Sequence, residues 1–66
     1  MKKPDVQVTK IEPDLFIYAL KTTLASNWAD KNAKRFERDL NGDLLVKQVN
    51  SGPLIDRMVQ AGLRVI

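Results

Sequence analysis

The chain has 66 residues, with eleven lysines and arginines against eight aspartates and glutamates, for a formal net charge of +3. It contains no cysteine and no histidine, which excludes disulfides, thiolate metal sites and the ordinary near-neutral general base. A chain this short forms one domain, residues 1–66, and buries only roughly 60% of the surface its unfolded form exposes, so good packing or self-association must supply the stability.

Met1 to Asp5 is polar and expected to be loose. Met1-Lys2-Lys3 has the charge of a signal-peptide start, but Pro4-Asp5 follows where an apolar stretch belongs. Val6 to Ile11 is rich in β-branched residues and predicts a short strand with Val6 and Val8 on one face, although Ile11 falls out of phase. Glu12-Pro13-Asp14 reads as a helix start, because proline suits the first helical position and acids favour the helix N-terminus.

From Leu15 onward the residues suit a helix, with Ile17, Leu20, Leu24 and Trp28 forming one apolar stripe. Lys31, Lys34, Arg35 and Arg38 follow at spacings i, i+3, i+4 and i+7, a cationic stripe if the helix reaches that far. Carried forward at about 100° per residue, those cations land on the same side as the apolar stripe. A break at Ser26-Asn27 is therefore favoured: both are N-cap residues, and Asp30 lies three positions after Asn27. The alternative is one continuous helix with Leu15, Tyr18, Ala25, Ala29, Ala33, Phe36 and Leu40 along a single face.

Asn41-Gly42-Asp43 predicts a stop, and Leu44 to Val49 fits either a short helix or a buried strand. Asn50-Ser51-Gly52-Pro53 reads as a turn, followed by an amphipathic helix carrying Leu54, Ile55, Met58 and Val59 and ending at Gly62. The apolar tail Leu63 to Ile66 must pack back or pair as a strand. The predicted fold class is mainly α: a small domain of three to four short helices with a short N-terminal β-strand, self-associating as a homo-oligomer. Leu20, Leu24, Trp28, Phe36, Leu40, Leu44, Met58 and Val59 are expected to be buried between elements or chains.

The carboxylates form no recognisable acid–base or metal-ligand constellation, and the three glycines are too far apart to cradle a phosphate. Asp39-x-Asn41-Gly42-Asp43 lacks the spacing of a calcium loop and reads as turn chemistry. We expect no enzyme, no metal, no cofactor and no small-molecule substrate. The longest apolar run, Leu15 to Leu20, falls far short of the about 20 residues a membrane span needs, so no membrane partner is expected and the cytoplasm is the expected compartment.

Two surfaces remain. Lys31, Lys34, Arg35 and Arg38 form a candidate nucleic-acid-binding face, weighed against an ordinary solvated helix face, and among them only the arginines offer a bidentate fork. Leu20, Leu24 and Trp28 form a candidate protein interface. A helix-turn-helix with its turn at Val49 to Pro53 would leave Arg57 and Gln60 as the polar donors of its reading helix. A strand at 6–11 with helices near 14–25 and 28–40 is similar in order to ribbon-helix-helix repressors. That similarity implies base contacts from Gln7 and Thr9 on strands paired between two chains. The expected function is a small non-enzymatic regulator that binds DNA through the basic face. The alternatives are an inhibitor or adaptor docking an apolar helix face on a larger protein, and an assembly subunit.

Overall fold

The computed structural model describes residues 3–66. Strand β1 (Val6–Glu12) forms where the β-branched run predicts it and pairs antiparallel with β2 (Leu15–Leu20) in the register Val6↔Leu20, Val8↔Tyr18, Lys10↔Phe16. A bulge between Lys10 and Glu12 absorbs one residue, and Pro13-Asp14 closes the hairpin. Glu12-Pro13-Asp14 is thus a strand turn and no helix start. Residues 15–20, expected to be helical, form an inner strand because neither face of the run is polar. Phe16, Tyr18 and Leu20 point inward, while Leu15, Ile17 and Ala19 point outward, so the alternation that marks a half-buried strand is absent. The helical stripe from Ile17 to Trp28 straddled two elements.

Helix α1 (Thr23–Asn32) runs through Ser26-Asn27 without a break. Its N-cap is Thr22, whose Oγ1 accepts from the Ala25 amide at 3.2 Å. Ala25, Ala29 and Ala33 are fully buried, and the small methyl face lets the helix lie close on the sheet. The helix ends at Asn32, with Ala33 as its C-cap, well before Leu40. The chain turns back through Phe36, whose amide reaches the Ala33 carbonyl at 3.2 Å, into the two-residue strand β3 (Glu37–Arg38) and then β4 (Leu44–Lys47). Between them Asp39 Oδ1 accepts from the amides of Asn41 and Asp43, both at 2.9 Å, and Gly42 takes φ +83°.

The sheet order is β1-β2-β4-β3 with every neighbouring pair antiparallel. Lys47 leads directly into helix α2 (Gln48–Gln60), so Asn50 to Pro53 lies within a helix and is no turn. Pro53 lacks the N–H that would reach the Val49 carbonyl, and Val49 is 78% exposed, where water can take its place. Gly62, at φ +87°, ends α2: its amide reaches the Val59 carbonyl and that of Leu63 reaches Met58, each at 3.0 Å. The tail then runs parallel to the free edge of β1, with Val65 bridging Val6. Asp5 holds this corner together. Its Oδ2 accepts from the Arg64 amide and its Oδ1 from the Thr22 hydroxyl, both at 2.8 Å. The Arg64 amide, then the Thr22 hydroxyl, hold this carboxyl below the usual aspartate range. Asp5 is therefore anchored rather than loose, while Met1 and Lys2 lie outside the described residues.

The fold is α+β, a four-stranded antiparallel sheet with two helices, and corrects the expected small helical domain of three to four helices. The ribbon-helix-helix order fails with it, since the segment near 14–25 is a strand followed by a helix start. Both helices share one core with the inward sheet residues Val6, Tyr18, Leu44 and Val46, to which α2 contributes Leu54 and Met58. Leu24, Leu40 and Val59, expected to be buried, are 60%, 106% and 57% exposed in the chain. At the centre the fully buried Tyr18 sends its hydroxyl to Ser51 of α2, meeting both Oγ and, at 3.2 Å, the carbonyl oxygen.

Removing the Tyr18 hydroxyl leaves buried Ser51 short of a partner, so Tyr18→Phe is expected to lower stability by about 1–2 kcal/mol in urea unfolding. Burial pushes the Tyr18 phenol above its usual value of 10.0, opposed by the Ser51 hydrogen bond. Above about pH 10 the unfolded chain then loses a proton that the native chain keeps, so stability falls as pH rises. Tyr18→Phe should flatten that alkaline decline, read from unfolding curves across the range. Ala29→Leu should cost about 1–3 kcal/mol by overfilling the α1–sheet contact.

Candidate functional site: a cationic cleft

The Lys31–Arg38 stripe required one helix, and the fold divides it among three elements. Lys31 sits in the last turn of α1, Lys34 and Arg35 in the connection that follows, and Arg38 in β3. Arg38 is committed to the fold: it pairs with Asp30 at 2.9 Å and donates to the Gly42 carbonyl at 3.2 Å. Lys31, Lys34 and Arg35 are exposed and make no ion pair among the described residues.

Arg35 instead meets residues that come from the other end of the chain. A cleft of about 260 Å³ is lined by Arg35, Phe36, Asn50, Pro53, Leu54 and Arg57. It exists because the chain turns sharply after Ala33 and lays Arg35-Phe36 beside the N-terminal half of α2. Phe36 and Leu54 supply an apolar wall, and Asn50, Arg35 and Arg57 supply donors. No side chain caps the first turn of α2, from which Asn50 comes, and the Gln48 amide at its start is taken by the Asp14 carbonyl at 2.7 Å.

Arg57 is held in place from the α1 side. Its guanidinium lies 5.9 Å from the centre of the Trp28 ring, and its Nη2 donates to the Asn32 carbonyl at 3.3 Å. The Asn32 side chain in turn donates to the Trp28 carbonyl at 3.0 Å. These contacts fix the guanidinium where α1 ends and α2 passes, at the wall of the cleft.

The candidate interface residues Leu20, Leu24 and Trp28 are not brought together as one free surface. Leu20 and Trp28 pack against the core, and only Leu24 is substantially exposed. In the sequence Asn50 reads only as part of a turn, and Arg57 only as a donor on the reading helix of a helix-turn-helix. The single available signal was that Arg57 follows the same helical face as Asn50 and Pro53, which becomes visible once residues 48–60 are read as one helix. Among the described residues no group of acids could hold a metal ion, and no helix is long and apolar enough to cross a membrane. No protein-family model, no curated protein and no solved structure matches the chain.

Arg57→Met should shift the fluorescence of Trp28, the only tryptophan, and lower stability by about 0.5–1 kcal/mol through loss of the ring contact.

Proposed function

We propose that the protein is a small non-enzymatic binding protein that grips the phosphate backbone of a nucleic acid through the cleft between the α1–β3 connection and α2. One observation carries this reading: Arg35 and Arg57, from separate elements, line one concave site together with the Asn50 amide. Guanidinium forks match phosphate oxygens bidentately, and the contacts of Arg57 with Trp28 and Asn32 reduce the side-chain entropy lost on binding. Lys31 and Lys34 add point charges around the end of α1 and extend the cation track beyond a single phosphate. A regulator acting by occupying nucleic acid fits this arrangement, with backbone contact dominating over base readout.

Fluorescence anisotropy with labelled duplex and single-stranded oligonucleotides tests it. Binding at low salt should weaken with a log–log salt slope of roughly −3, for three to four neutralised phosphates. Arg35→Glu combined with Arg57→Glu should reduce affinity by at least about tenfold and flatten that slope. Asp30→Asn should release Arg38 and steepen the slope by about 1. Binding that ignores salt and these reversals would overturn the proposal. Capture of an acidic peptide in place of any oligonucleotide would also overturn it and make the cleft a protein-binding site.

A further inference from the structure

Both helices cover one face of the sheet, and no element among the described residues covers the other. The register places its residues in level rows. Glu12, Leu15 and Lys47 form one row, Thr9, Ile17, Leu45 and Glu37 the next, and Gln7 and Ala19 the third. An antiparallel sheet with a solvated face shows polar residues at alternate positions. Here β2 shows none: its outward residues are Leu15, Ile17 and Ala19, and β4 adds Leu45 beside Ile17. The centre of the open face is therefore apolar, as a face is when something packs on it.

We infer that a second copy of this chain covers this face, sheet against sheet. The argument is charge complementarity about a two-fold axis. Glu12 and Lys47 flank Leu15 on opposite sides in one row, each one strand, about 4.8 Å, away from β2. A two-fold axis lying between two such faces, parallel to β2, keeps every row level and exchanges left for right. β1 of one copy then lies over β4 of the other, and Glu12 stands over Lys47 twice in the dimer. Ile17 meets its symmetry mate at the axis, with Leu15, Ala19 and Leu45 around it. Sheets packed face to face lie about 10 Å apart with strands about 30° from aligned, a gap that these long side chains span. The pairing is isologous and closes on itself, so it makes a dimer and no filament. It leaves both helical layers outward, so the clefts beside α2 remain open on opposite sides. The dimer stands independently of what those clefts bind. It also supplies the extra burial that a 66-residue chain lacks alone.

Sedimentation of the full chain over a range of concentrations tests the assembly. The expected result is a dimer that Ile17→Asp converts to a folded monomer, while Val59→Asp on the exposed side of α2 leaves it intact. Glu12→Lys and Lys47→Glu should each raise the dimer Kd by roughly tenfold, because each change places two like-charge pairs across the interface. Combining the two should restore the original Kd. Should Ile17→Asp unfold the chain, the charge reversals, both at exposed side chains, carry the test alone. A monomer at every concentration, or a double variant no tighter than the single ones, would overturn the inference. So would a different protein occupying the face of a monomeric chain.

Discussion

The Tyr18 hydroxyl on Ser51 is the contact through which the two layers agree on their alignment. Tyr18 stands in the middle of β2, paired on one side with Val8 and on the other with Leu44. Its ring fills the centre of the core, and its hydroxyl can be buried only where a partner meets it. Ser51 meets it with both a hydroxyl and a carbonyl, in the first turns of α2. That pairing sets where α2 crosses the sheet, and hence where Asn50, Pro53 and Arg57 come to lie. A purely apolar contact would tolerate sliding of the helix along the sheet. A directional hydrogen bond in a dry core does not.

The cleft depends on this placement from one side and on the end of α1 from the other. Ala25, Ala29 and Ala33 bring α1 close to the sheet, after which the chain must leave the helix to reach the far edge of β4. The turn that results carries Arg35 and Phe36 to the flank of α2. Lys31, in the last turn of α1, and Arg57, through its bond to the Asn32 carbonyl, also have a structural role, since cations complement the carbonyls of a helix C-terminus. The proposed role is compatible with this one, since a guanidinium that caps a helix end is already held in a fixed position.

The edges and faces of the sheet divide the molecule further. The β1 edge is closed by the tail, which Asp5 secures through Arg64 while also supporting the Thr22 cap of α1. The opposite edge is a strand of only two charged residues, short enough to discourage edge pairing. With both edges blunted, the outward face of β2 and β4 is the apolar surface left over. The proposed nucleic-acid contact lies on the helical layer and the proposed self-association on the sheet layer, so the two would use opposite sides of the chain.

Local chemistry alone determined several parts of this protein. The β-branched run made β1, Gly62 ended α2, and the Asp39–Asp43 segment made a turn, whereas the buried alanines at 25, 29 and 33 shared a face only in the continuous-helix alternative, which also placed exposed Leu40 there. The identity of residues 15–20 was not legible, because an apolar run without alternation fits a buried helix and an inner strand equally. Lys34 to Arg38 are good helix formers, so nothing local reveals that the helix stops at Asn32. Pairing of Glu37 and Arg38 with Leu45 and Leu44 decides it. The cationic stripe was legible as charge and illegible as shape. Only tertiary structure withdrew Arg38 to Asp30 and joined Arg35 to Arg57, because charge density is a property of composition, whereas convergence requires two distant segments to be packed side by side.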